Sequence, residues 1–316
     1  MLKILELFGG IGACSSALTK LGIEYEIADY VEIDKYAVKS YNAIHGTNFE
    51  PQDITTWDKD IEIDLIMHGS PCQDFSLAGK QAGGDKDSGT RSSLMYETIR
   101  IVEKLKPKYV VWENVKNLLS KKHFHNFNAY LETMEQLGYK SYYQVLNAKD
   151  YGIPQNRERV FTISIRKDID TGFVFPEKQP LKLKLKDMLE NNVDEKYYLS
   201  EEMINNISAL GTKTFKNNNS KINKVINVGN VNPSGRGQNG QVIDSDGIAR
   251  TITIEKGEGQ KILIKNNTKK GYLEAYEGDG VYTNVSTKRG TVQKDMIQTL
   301  TTFQDKGVVV KDERNN

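Results

Sequence analysis

The stretch Leu5–Leu18, LELFGGIGACSSAL, decides the fold. A short apolar run leads into Gly9, Gly10 and Gly12, and the residues from Ala13 to Leu18 then have helical composition. In a strand, glycine turn and helix of this kind, backbone amides and a helix N-terminus can approach a nucleotide-like ligand closely. The same string also serves as a plain tight turn, so its meaning depends on the residues downstream. About twenty residues on, where a ribose-binding acid is expected, the next apolar run ends in YVEID and supplies Glu32. A third region, PQDIT, offers Asp53 to an adenine amino group. Together these point to an adenosine cofactor and leave NAD and S-adenosylmethionine both open.

Outward from the glycine turn, residues 1–165 alternate short apolar runs with amphipathic stretches, the pattern of a mostly parallel sheet covered by helices. Strands are predicted at Ile4–Phe8, Tyr25–Asp29, Asp64–His68, Tyr109–Trp112, Tyr142–Leu146 and Val160–Ile165. Leu94, Thr98, Ile101, Val102 and Leu105 keep helical spacing, as do Phe127, Tyr130, Leu131, Met134 and Leu137; Pro107 and Gly138 end the two helices. The expectation is a doubly wound α/β domain over residues 1–175, which binds ligands at the C-terminal ends of its strands. After Phe175 the alternation gives way to LKLKLK (Leu181–Lys186), KNNNS (Lys216–Ser220) and many glycines. Residues 176–316 read as a smaller, irregular β-rich region. The similar segments GIARTIT (Gly247–Thr253) and MIQTLT (Met296–Thr301) are either a weak repeat or two unrelated strands.

Composition narrows the function classes. The 316 residues are 38% hydrophobic with a mean hydropathy of -0.56, and no run approaches the roughly 18 apolar residues of a membrane span. The first residues, MLKILELFGG, show no signal peptide, so a cytoplasmic protein is expected. Two cysteines and four scattered histidines (His45, His68, His123, His125) offer no metal-ligand constellation. Net charge is +1, but residues 1–175 hold 21 Lys+Arg against 24 Asp+Glu, a balance of −3, and residues 176–316 hold 22 against 18, a balance of +4. The second part leans basic, as a surface facing phosphates would.

Cys72 separates the cofactor readings. Cys72, in HGSPCQDFS, follows the Asp64–His68 strand at the ligand-binding edge, with Pro71 stiffening the turn. A thiol there can act as a nucleophile once activated, whereas Cys14, inside the first helix, reads as a small buried hydrophobe. Glu113, in VVWENV, comes at the end of the neighbouring apolar strand, where a carboxyl group is easily desolvated and kept partly protonated, as a general acid must be; a helix N-cap is the plainer alternative. Arg157 and Arg159, in QNRERVF, alternate just ahead of a strand, so both can reach a base carbonyl oxygen or a phosphate. A salt bridge with Glu158 is the alternative there.

With these blocks in order, the chain resembles the C5-cytosine DNA methyltransferases of bacterial restriction-modification systems and phages. The resemblance rests on LELFGGIGACSSAL, YVEIDKYA, QDI, HGSPCQDFSLAGKQAG, RSSLMYE, ENV and QNRERVF, over roughly residues 1–165. It implies an S-adenosylmethionine pocket lined by Phe8, Gly9, Gly10, Gly12, Ile33 and Leu94, with Glu32 at the ribose and Asp53 and Ile54 at the adenine. It implies that Cys72 adds to cytosine C6, that Glu113 binds the ring N3 and exocyclic amine, and that Arg159, supported by Arg157, holds the carbonyl oxygen. Double-stranded DNA is the implied partner. A stacked base is out of reach of such groups, so the cytosine must be flipped out. The small, polar, glycine-rich segment after Cys72 is expected to be a lid with Gly83 and Gly84 as its flexible points.

Two later blocks of that family, Arg-x-Leu-Thr-Pro-x-Glu and Gly-Asn-Ser/Ala-x-Val, do not occur in the chain. The expectation is therefore a recognition region that runs to the last residue. A truncated product, a split enzyme completed by a second polypeptide and a chain kept only for binding all stay open. Related catalytic blocks also serve a branch that methylates tRNA, but the basic, Gly- and Asn-rich second region suits DNA better. A NAD-dependent dehydrogenase would leave Cys72, Glu113 and the arginines without a task.

Overall fold

In β1 (Leu2–Leu7) successive side chains alternate between the two faces of the sheet, and Ile4, Leu5, Glu6 and Leu7 are all buried. A strand covered on both faces belongs to the interior of a layered α/β fold. The computed structural model describes residues 1–71, 91–189, 224–230, 240–251, 261–263, 280–282, 292–293 and 306–308.

The central sheet has the order β2-β1-β3-β4-β7-β5, with β2 at Tyr25–Val31, β3 at Leu65–His68, β4 at Tyr109–Val115, β5 at Tyr139–Asn147 and β7 at Glu158–Arg166. Neighbours from β2 to β4 pair parallel, and β7 alone runs the other way, between β4 and β5. Ile4 and Leu65 pack with Leu18 of α1 (Ala13–Lys20) on one face. Tyr30 packs there with Val38 and Tyr41 of α2 (Lys35–His45). Leu5, Leu7, Ile66, Val110, Trp112 and Val160 form the larger core with α3 (Met95–Leu105) and α4 (Phe124–Gln136). The expected doubly wound, mostly parallel sheet is therefore present.

Each predicted strand exists, but several run further. Glu113 lies within β4, with two more residues paired beyond it, because the ladder with β7 continues to Val115. The helices stop as expected: Lys106, just before Pro107, and Gly138 both take left-handed backbone, with φ of 47° and 89°. Among the described residues, no helix is long and apolar enough to cross a membrane.

The chain divides into two compact units, Met1–Asn147 with Glu158–Lys178, and Ala148–Arg157 with Gln179–Asn316. The second unit holds short sheets. β9 (Gln241–Asp244) lies between β8 (Asn227–Asn230) and β11 (Lys261–Leu263), and β12 (Gly280–Tyr282) between β13 (Val292–Gln293) and β14 (Lys306–Val308). β10 (Ala249–Arg250) pairs parallel with β6 (Gln155–Asn156), and the Gln155 side chain and Thr251 hydroxyl donate across this pair to Arg250 O (3.1 Å) and Asn156 O (2.9 Å). Of the two similar segments, only the first contributes a described strand; KNNNS and MIQTLT lie outside the described residues. LKLKLK forms no strand: Leu185 opens a short 3-10 turn and packs with Ile243 and Ala249, and Lys184 and Lys186 pair with Asp246.

Candidate active site

One edge of the central sheet gathers the predicted residues. Leu7, the last residue of β1, lies beside Val31 of β2 and His68 of β3, and His68 lies beside Trp112 of β4. Because β7 runs antiparallel, its start reaches the same edge, with Arg159 opposite Val115.

The glycine turn leaves β1 sharply. Phe8 donates its N–H to Val31 O (2.8 Å), and Phe8, Gly10 and Gly12 take φ of 54°, 54° and 82°. The glycines differ in what demands them. A Cβ on Gly9 would stand 2.5 Å from the Tyr30 ring, and one on Gly12 would stand 2.1 Å from His45 Nε2 and 2.8 Å from the Tyr41 ring. Beside Gly10 no atom of the described residues lies within 4 Å of such a Cβ. Gly10 thus presents open space of the kind a bound ligand needs, while aromatic side chains pack beneath Gly9 and Gly12. The loop is also held from outside, since Tyr30 Oη donates to Gly10 O (2.6 Å) and Glu32 accepts the Gly10 N–H through Oε2 (3.1 Å).

Beneath the turn, the buried Glu6 carboxylate accepts the Ser15 backbone N–H (2.9 Å) and the Ser15 hydroxyl. Burial pushes the Glu6 pKa up despite these bonds. Burial, then the nearby Glu6 and Glu113 carboxylates, push Cys14 up to about 12. Cys14 is therefore a thiol at neutral pH and is unsuited to nucleophilic attack.

On the side expected to hold adenosine, Glu32 Oε1 accepts from Asp34 N (2.9 Å), and Asp34 caps α2 through Tyr36 N (2.8 Å) and Ala37 N (3.2 Å). Gln52 N donates to Glu32 O (2.8 Å), which draws the Asp53 segment up to the Glu32 turn. Asp53 Oδ1 accepts from Thr55 N (2.9 Å) and Thr55 Oγ1 (2.8 Å), while Ile54 is buried in the core. Ile33 is 67% exposed, a large apolar side chain presented to solvent next to Glu32. Leu94 closes a 3-10 turn at the start of α3 and packs against the core. An acid with lone pairs to spare, an exposed apolar face and open space over Gly10 fit an adenosine-bearing cofactor.

At the end of β3 come Gly69, Ser70 and Pro71; Cys72 and the predicted lid lie outside the described residues. The turn leading to Cys72 is firmly tied. Buried Ser70 accepts the Trp112 indole N–H on Oγ (3.0 Å) and the Asn114 amide on its carbonyl oxygen (3.4 Å). The ring of His68 stacks on Trp112 at 5.6 Å and 6° and lies 3.4 Å from Tyr130 Oη through Nε2. Burial lowers the His68 pKa to about 3, so this histidine is a neutral core residue. Sequence reading missed Ser70, Trp112 and Asn114. The signal was the period-2 burial of β4, which puts Trp112 and Asn114 on the buried face and turns Glu113 away from it.

Glu113 Oε1 meets Arg159 Nε at 3.0 Å, with side-chain exposures of 33% and 17%. A third of the Glu113 side chain is exposed, and its near neighbour is the Arg159 guanidinium. A Cβ on Gly69 would stand 3.8 Å from Glu113 Oε2, so the other carboxylate oxygen faces the turn that leads to Cys72. Arg159 lies in β7, whereas Arg157 lies just before it, outside any strand. A tight turn, Arg157 N to Gln155 O (3.1 Å), breaks the alternation, and Arg157 belongs to the second unit. Glu158 pairs instead with Lys116 (3.0 Å).

The chain matches the family of C-5 cytosine-specific DNA methylases over residues 2–306. It is 38% identical over 304 residues to the orphan methyltransferase M.SPRI of Bacillus phage SPR, covering 85% of this chain and 68% of that one. It is 39% identical over 259 residues to the type II methyltransferase M2.ScrFI of Lactococcus lactis subsp. cremoris, covering 65% and 72%. The fold is similar to the solved structure of the S. pombe Dnmt2 methyltransferase, with a TM-score of 0.53 at 18% identity over 80% of this chain and 71% of that one. The chain belongs to the C-5 cytosine-specific DNA methylase family, whose members are DNA (cytosine-5-)-methyltransferases.

Proposed function

We propose that this protein transfers a methyl group from S-adenosylmethionine to C5 of a cytosine flipped out of a specific duplex DNA sequence. The observation that carries this reading is the Glu113–Arg159 pair, placed at the sheet edge beside the turn that leads to Cys72 and level with the glycine turn. Residues 1–175 hold cofactor and chemistry, and residues 176–316 read the DNA.

Cytosine C5 is a poor nucleophile until C6 carries an adduct. The Cys72 thiolate forms a bond to C6, and the ring electrons move toward N3 and C5. Glu113 meets the charge developing at N3 and the exocyclic amine; Arg159 holds the carbonyl oxygen. When bound, S-adenosylmethionine would supply an electrophilic methyl group to C5, with S-adenosylhomocysteine as the leaving group. Loss of the C5 proton to solvent then expels the Cys72 thiolate and restores the C5–C6 double bond. The open face of Gly10, with Phe8, Gly9, Gly12, Glu32, Ile33, Asp53, Ile54 and Leu94, orients the cofactor, and Arg157, two residues before Arg159 in the chain, has a supporting role.

The test is transfer of radiolabel from S-adenosylmethionine to duplex DNA, with bisulfite sequencing to find the site. Cys72→Ser should abolish transfer, and Glu113→Gln should lower it by about 10²-fold or more, as loss of an acid–base group does. Parallel reactions with tRNA, and with a C-terminal fragment of a relative added in trans, ask whether the substrate is RNA and whether a second polypeptide is required. Label surviving Cys72→Ser would sink the assigned nucleophile.

A further inference from the structure

Residues 47–64, which connect α2 to β3 and carry Asp53 and Ile54, form no strand or helix beyond a turn at residues 54–56. Such a segment has no ladder to fix it: backbone bonds tie its ends, Gln52 N to Glu32 O and Asp64 N to Lys3 O (both 2.8 Å), and side chains hold the stretch between. The turn's own bonds are long: Thr56 N to Asp53 O is 3.2 Å and Trp57 N to Ile54 O is 3.3 Å. Arg100, on α3, closes it. Arg100 Nη2 donates to Ile54 O and to Trp57 O, both at 2.9 Å, while its Nε pairs with Glu97 at 2.7 Å and so aims the guanidinium. The partners lie 46 and 43 residues away in sequence. The Glu97 pair alone is a surface contact worth little, whereas charged donors to backbone carbonyls rank among the stronger hydrogen bonds.

We infer that Arg100 is a positioning residue for the adenosine half of the cofactor. It touches no reacting atom; it clamps the Asp53–Trp57 turn to α3, the helix that Leu94 opens, so that two walls of the adenosine site are set by one helix. This role rests on the proposed use of S-adenosylmethionine.

The test compares wild type with Arg100→Met and Arg100→Gln, using S-adenosylhomocysteine and adenosine as binding probes. Arg100→Met should weaken both ligands by about tenfold, as loss of two charge-assisted hydrogen bonds would. Arg100→Gln, which keeps one neutral donor, should weaken them by about threefold. The KM for S-adenosylmethionine should rise in step, while kcat at saturating cofactor stays within about twofold and DNA affinity is unchanged. If Arg100→Met fails to fold, Arg100→Gln decides by the same criteria. Unchanged affinity for S-adenosylhomocysteine in a variant, beside a wild type that binds it, overturns the clamp alone. So does a fall in kcat and DNA affinity matching the loss of cofactor affinity. A wild type that binds neither probe overturns the cofactor reading and the clamp with it.

Discussion

Gly10 and Gly12 both have positive φ, yet substitution should separate them. At Gly10 an alanine meets open space and bears only the cost of left-handed backbone, about 1–2 kcal/mol. At Gly12 the same backbone cost is joined by a collision with His45 and the Tyr41 ring, which should bring the loss to about 3 kcal/mol or more. Denaturant midpoints should therefore fall further for Gly12→Ala, while cofactor affinity should fall further for Gly10→Ala; equal midpoints would contradict the packing account. His68 offers a second test. The unfolded chain takes up this proton near pH 6.5 and the folded chain only near 3, so its contribution to stability is lost as pH falls between those values. The slope from this one group is at most about 1.4 kcal/mol per pH unit. His68→Phe keeps an aromatic ring against Trp112 and should flatten the stability profile below pH 6.5; an unchanged slope would show that other groups set it. The places of Glu32, Glu113 and Arg159 in the sheet were legible in the sequence because each follows or starts an apolar run; that of Asp53, in a segment without strand or helix, was not. The tasks of Tyr30, Tyr41 and His45 were not, because nothing local shows that they pack under glycines 21 to 33 positions earlier (Gly9–Tyr30 to Gly12–His45).

Among the elements, apolar runs bounded by Pro107, Gly138 and the glycine turn located every strand of the central sheet, but not their ends. β4 extends through Glu113, Asn114 and Val115 because β7 offers hydrogen-bonding partners to all three, and such pairing is a tertiary fact. The same extension fixes the β3 exit, since Trp112 and Asn114 reach Ser70 from the buried face of β4. Ser70→Ala removes the acceptor for the buried Trp112 indole N–H. The expected cost is about 1–3 kcal/mol for an unpaired buried donor, with a fall in kcat for methyl transfer larger than any change in cofactor affinity, because the turn freed is the one leading to Cys72. Single-turnover rates and S-adenosylhomocysteine titration check the split. A rate unchanged beside a clear loss of stability would show that this anchor serves the fold and not the nucleophile.

For the whole molecule, the change of character after Phe175 was legible from composition, but the return of Ala148–Arg157 to the second unit was not. That excursion depends on β6 pairing with β10 nearly a hundred residues later, a contact that no local pattern encodes. If the units divide the work, damage to one should spare the other's ligand, and Gly247 is the place to test this. It follows β9, accepts from Leu185 N at 2.9 Å, and a Cβ there would stand 2.7 Å from the Lys224 carbonyl oxygen. Because the obstacle is backbone, a rotamer change cannot relieve it. Ile248 N donates to that same carbonyl (3.1 Å) and Ala249 N to Pro154 O (2.8 Å), so a shift at residue 247 is passed directly to β10. Gly247→Ala should therefore cost about 1–3 kcal/mol within the second unit. Affinity for target DNA should drop by about tenfold or more, since each 1.4 kcal/mol is a factor of ten, while S-adenosylhomocysteine binding stays within about twofold of wild type. The salt dependence of the remaining DNA binding should persist, because phosphate contacts do not depend on the exact seating of base-reading loops. Cofactor and DNA affinity falling together would mean that the two units share one folding equilibrium, and the assignment of recognition to residues 176–316 alone would be lost.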